Sequence, residues 1–135
     1  MSQDNSGPTE EAWLVALSAL VIPPEVGAGE GADGVEDYLR KLLFRPRGQL
    51  LGLLVAQLRS ALGETGAGDF PNRPTVEREQ ILRQLIEQAD APLRRAWSMF
   101  IEFCVEAWLC DPARGGNRQG QGWQRVGMSG PGRAP

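Results

Sequence analysis

A chain of 135 residues with 41% apolar and 23% charged residues fits one globular domain with a modest core. Its net charge of −3 is unevenly spread, because residues 1–110 hold 16 acids against 10 bases and residues 111–135 hold Arg114, Arg118, Arg125 and Arg133 against Asp111 alone. An acidic body with a thin basic tail lacks the dense basic, aromatic-studded stripe of a nucleic-acid reader, and with no histidine and no CxxC pair the chain is not expected to build a zinc or iron–sulfur site alone.

The opening MSQDNSGPTEE has no basic region followed by an apolar stretch, so no secretory signal is expected there. Residues 1–8 read as a flexible N-terminus, 9–110 as a helical bundle domain and 111–135 as an extended tail. Thr9 followed by Glu10 and Glu11 predicts a helix start, since a hydroxyl caps exposed amides and acids suit the positive end of the dipole. Trp13, Leu14, Leu17, Leu20 and Val21 recur at helical spacing until Pro23 and Pro24 stop the helix.

Gly27 to Gly34 (GAGEGADG) reads as a loop; a dinucleotide fingerprint needs a preceding strand, and here an apolar helix and two prolines precede it. Asp33 and Glu36 have the spacing of a capping box opening a second helix with Val35, Leu39, Leu42 and Leu43. Pro46 interrupts it, and a third helix from about Gln49 to Leu62 places Leu50, Leu51, Leu54, Leu58 and Leu62 on one side. The longest apolar run, Leu50 to Ala56, is far too short to span a bilayer, so a soluble chain without direct membrane insertion is expected.

Gly63 to Pro74 is a turn-rich connection with one anchor, Phe70. Thr75 is the expected cap of a fourth helix with Ile81, Leu82, Leu85 and Ile86 inside and Glu77, Arg78, Arg83 and Glu87 in water. Asp90 and Pro92 mark the start of the last and most apolar helix, whose Leu93, Trp97, Phe100, Ile101, Cys104 and Trp108 form one face at the predicted centre of the bundle. On one helix Cys104 and Cys110 are about 9 Å apart by axial rise alone and cannot bridge, so two reduced thiols are expected, Cys104 buried. No segment alternates with period two, and the fold class is all-α: a small bundle of four to five helices with an extended Gly-rich C-terminal tail.

That tail, DPARGGNRQGQGWQRVGMSGPGRAP, holds seven glycines and three prolines in 25 residues. Such a segment loses much conformational entropy on ordering and has few apolar groups to offset the loss. Trp123, Val126 and Met128 are nevertheless spaced as anchors, among arginines and an asparagine with directional hydrogen bonds.

The ending also carries a resemblance. A helix running into Asp111-Pro112, then Gly115-Gly116-Asn117, Gly122-Trp123 and Val126-Gly127 resembles the gluconate 2-dehydrogenase subunit 3 family, which includes the gamma subunits of related flavin-dependent sugar dehydrogenases. Val21-Ile22-Pro23, Tyr38-Leu39 and Phe70 ahead of Thr75–Gln88 agree with the family's earlier landmarks, so the likeness covers roughly residues 10–130. Departures are Arg114 where an aromatic residue is common, the missing histidine on the last helix, and Gly127-Met128-Ser129-Gly130 in place of a Gly-Tyr-Pro-Gly close.

The resemblance implies a non-catalytic small subunit that binds and stabilises a large FAD-dependent oxidoreductase of the glucose–methanol–choline type, which oxidises a sugar, sugar acid, glycoside or polyol. A cytochrome c or other electron-acceptor subunit is a further implied partner. It implies no cofactor on this chain, with FAD in the large subunit, and no enzyme activity of its own. That fits a sequence with no histidine, phosphate loop or evident buried carboxylate pair to serve as acid, base or nucleophile. Partner binding would fall on Asp111, Pro112, Gly115, Gly116, Asn117, Arg118, Gly122, Trp123, Arg125 and Gly127, with Trp123 as buried anchor and the arginines at the rim. Many relatives begin with a twin-arginine export signal that is not read here, leaving a cytoplasmic complex or export folded on a partner's signal. The alternative reading is a stand-alone helical scaffold or regulator with a mobile tail.

Overall fold

In the computed structural model, which describes residues 7–23 and 34–109, Thr9 opens helix α1 (Glu10–Val21) as expected. Its Oγ1 accepts from the Ala12 N–H at 3.1 Å, with Glu10 and Glu11 in the first turn. The helix ends ahead of Pro23, where the Ile22 N–H turns back to the Ser18 carbonyl at 2.9 Å.

Helix α2 (Val35–Leu43) starts one residue later than a capping box on Asp33 requires. The carbonyl that accepts the first helical bond, from Tyr38 N–H at 3.0 Å, belongs to Gly34. Gly34 stands at φ 84°, a left-handed conformation that favours glycine, and supplies no side-chain cap. Glu36 and Asp37 in the first turn and Arg40 and Lys41 in the last still suit the helix dipole.

Pro46 converts the next turn into a short 3-10 segment, Pro46–Gly48, that delivers the chain into α3 (Gln49–Glu64). A second 3-10 turn, Phe70–Asn72, precedes α4 (Thr75–Glu87). Here too the cap differs from the sequence expectation: Pro74 is the capping residue, its carbonyl accepts from Arg78 N–H at 3.0 Å, and Thr75 is the first helical residue. The Asp90 cap of α5 (Ala91–Leu109) is as read, with Asp90 Oδ1 accepting from Leu93 N–H at 3.0 Å and Pro92 in the first turn, where its missing amide is not needed.

The five helices form the expected all-α bundle, with no strand among the described residues. The most extensive packing joins α3 to α5, and α2 and α1 close over that pair. Leu51, Val55, Leu58 and Leu62 of α3 are buried against this interior, while Leu50, expected on the same side, is 42% exposed. Leu51, Leu54, Val55, Leu58 and Leu62 fall within an arc of about 100° around the helix, and Leu50 lies about 40° beyond its edge.

On α5 the fully buried set is Ala96, Phe100, Cys104 and Ala107, with Leu93, Trp97, Ile101 and Trp108 half-buried beside it. Ala96 and Ala107 are the small members of this buried row, with the larger Phe100 and Cys104 between them. Trp13 of α1 is buried and stacked on Phe70, ring centroids 5.6 Å apart and planes within 8°. Most of the loop read at residues 27–34, the flexible N-terminus as far as residue 6, and everything from Cys110 onward lie outside the described residues.

Candidate interaction surfaces

All ten residues expected to bind a partner, from Asp111 to Gly127, lie outside the described residues, and so does the presumed anchor Trp123. What the structure positions is the root of that segment. The C-terminal half of α5 is seated by Cys104 and Ala107, both fully buried, and is tied to α2 where Tyr38 Oη donates to Glu106 Oε1 at 3.1 Å. The last described turns of α5 are therefore held against α2.

No group of three or more His, Cys, Asp or Glu residues that could hold a metal occurs among the described residues. Burial pushes the Cys104 thiol up to about 12, so the neutral form prevails at physiological pH and the sulfur behaves as a small apolar group. Four carboxylates form surface ion pairs: Asp69 with Arg73 at 2.8 Å, Glu79 with Arg83 at 2.8 Å, and Glu11 and Asp37 with Arg40 at 3.5 Å. The hydrogen bond from Arg73 holds the Asp69 carboxyl below its ordinary range.

Arg78, expected in water, is half-buried and sutures two helices. One guanidinium nitrogen donates to the Ala16 carbonyl of α1 at 3.3 Å and another to Thr75 Oγ1 at 3.0 Å. Arg59 lies over the Trp13 ring at 5.8 Å. Both roles depend on tertiary contacts that no local pattern announces.

A surface that the sequence reading did not single out is the corner between α2 and α3. Phe44 is 71% exposed, Leu53 67% and Leu50 42%, while Lys41, Arg45 and Arg47 around them are also exposed. The available signal was the run from Tyr38 to Gly63, which carries five bases and no acid.

No helix among the described residues is long and apolar enough to cross a membrane. Comparison with curated proteins and with solved structures returned no match. The family model described as gluconate 2-dehydrogenase subunit 3 matches residues 8–132, which takes in all five helices and nearly the whole of the glycine-rich ending.

Proposed function

Because the chain belongs to the gluconate 2-dehydrogenase subunit 3 family, we propose that it is the non-catalytic small subunit of a dehydrogenase complex. In this reading it binds and stabilises a large FAD-dependent oxidoreductase of the glucose–methanol–choline type, acting on a sugar, sugar acid, glycoside or polyol. The observation that carries the reading is the extent of the family match, which runs through residue 132 and so includes the Gly-Gly-Asn and Gly-Trp elements at Gly115-Gly116-Asn117 and Gly122-Trp123.

The physical chemistry of the described part supports the same role. A buried thiol that stays neutral at physiological pH and an α5 end held to α2 through Tyr38 and Glu106 suit a binding subunit. FAD and electron transfer to a cytochrome c or other acceptor belong to the partners. The tail residues Asp111, Pro112, Gly115, Gly116, Asn117, Arg118, Gly122, Trp123, Arg125 and Gly127 are the proposed contact to the large subunit.

Purification of the tagged chain from its native cells, followed by an absorbance scan, tests the reading. A larger polypeptide should accompany it at fixed stoichiometry with the two-band spectrum of bound flavin. A homogeneous monomer without flavin under the same conditions would sink it.

A further inference from the structure

We propose that the corner where α2 meets α3, residues 41–53, is a second docking surface of this chain and takes an acidic, apolar-centred patch on the larger subunit. The inference rests on the subunit reading above and adds to it a surface, apart from the tail, and the chemistry of what it binds.

Charge is the first observation. Between Tyr38 and Gly63 stand Arg40, Lys41, Arg45, Arg47 and Arg59 and no acid, whereas the rest of the chain carries 17 acids against nine bases. Two of the five bases are used internally: Arg40 pairs with Glu11 and Asp37, and Arg59 covers Trp13. Lys41, Arg45 and Arg47 form no ion pair among the described residues. Three exposed cations on an otherwise acidic molecule steer an acidic partner to this corner.

Apolar exposure is the second. Phe44 ends α2, Leu50 and Leu53 are neighbours on the outer side of the first turns of α3, and all three are exposed within ten residues of chain. Aromatic and arginine side chains together are the composition that interfaces favour.

The corner is also built to hold its shape. Arg45 N–H bonds the Leu42 carbonyl at 3.0 Å and Gly48 N–H bonds the Arg45 carbonyl at 2.8 Å. Gly48 packs so tightly on α2 that an added Cβ would fall 1.8 Å from the Leu42 oxygen. A preorganised turn loses little entropy on binding.

Competing occupants fit less well. Two copies meeting corner to corner would oppose like charges, and a corner set against another copy's acidic side is a heterologous contact, which gives a ring or an open chain rather than a two-fold dimer. An interfacial membrane helix needs a free apolar face, but Val35, Tyr38, Leu39 and Leu42 of α2 are buried in the core.

The test uses the full chain and the flavin-bearing subunit that co-purifies with it, separated and reassembled. The variants are Arg45→Glu/Arg47→Glu and Phe44→Ser, with Lys41→Glu as the charge variant should the double one fail to fold; melting curves of the isolated chains establish folding. The charge variant should associate about tenfold more slowly at low salt, the gap closing as salt rises. Phe44→Ser should leave association nearly unchanged and speed dissociation about tenfold. Wild-type assembly that is indifferent to all these variants overturns this inference and leaves the subunit reading standing. A wild-type chain that captures no larger subunit ends both. Assembly kinetics unchanged while the charge variant loses binding to phosphatidylserine vesicles, or loses concentration-dependent self-association, overturns the choice of partner.

Discussion

Cys104 and Gly48 show how much one position can decide. The Cys104 thiol is buried among Phe100, Ala107 and the leucines of α3, and its pKa rises from 9.0 to about 12 because a thiolate there would be cut off from water. Between those two values the unfolded chain has lost the proton and the folded chain has kept it, so stability falls as pH rises through this window, at up to about 1.4 kcal/mol per pH unit. Urea titrations from pH 8 to 11 should show this decline in the wild type and a shallower one in Cys104→Ala, after allowance for that variant's cavity. At neutral pH, peptide mapping should find Cys104 unmodified by iodoacetamide until denaturant is added. Gly48 is a matter of space alone. An alanine methyl would lie 1.8 Å from the Leu42 carbonyl oxygen, so the α2 end must shift, at a cost of about 1–3 kcal/mol or more. Gly52→Ala is the matched control, since its methyl would meet Glu10 and Leu43 side chains at ordinary contact distances of 3.6 and 3.7 Å. Thermal melts should separate the two clearly; equal melting temperatures would refute the assigned close approach.

The helices themselves depend on a few cross-element pins. Phe70 sits on a 3-10 turn of three residues, yet it is fully buried and stacks on Trp13, so the α3–α4 connection is clamped to α1 by that ring pair. Phe70→Ala should cost about 3–5 kcal/mol by chemical denaturation, and Phe70→Leu distinctly less; a loss under 1 kcal/mol for alanine would mean that the turn is not held by this ring. Phe70 as anchor, the caps at Thr9 and Asp90, the proline stops and the helical stripes were legible because each follows from one residue type or one periodicity. The caps of α2 and α4 were misplaced by one residue because Gly34 and Pro74 offer no side-chain signal to locate them. Helical spacing alone places Arg78 in water, because its partner, the Ala16 carbonyl, is 62 positions away. The burial of Ala96 and Ala107 is hidden for a related reason: small side chains weigh little in a hydrophobic pattern. The candidate site is legible in the sequence as composition, seven glycines in the last 25 residues, and as the ordered motifs Asp111-Pro112, Gly115-Gly116-Asn117 and Gly122-Trp123.

For the whole molecule the question is whether the last segment belongs to the chain's own fold or to its partner's surface, and Trp123 separates the two. If Trp123 anchors the larger subunit, truncation to alanine should weaken assembly by about 2 kcal/mol or more, roughly 30-fold in Kd, because interface energy concentrates in large aromatic side chains set in dry pockets. The isolated chain should then keep its melting temperature, since the lost contacts form only in the complex. If Trp123 instead packs on its own bundle, the isolated chain should lose stability and assembly should suffer only in proportion to the unfolded fraction. Linkage sharpens the comparison: a partner that binds the folded chain alone raises apparent stability by RT ln(1 + [L]/Kd), so with excess large subunit the wild-type melting temperature should climb with concentration and that of Trp123→Ala should lag behind. Titrating the large subunit into both chains while following the helix signal decides the matter, and a variant whose curve overlays the wild type removes Trp123 from the interface.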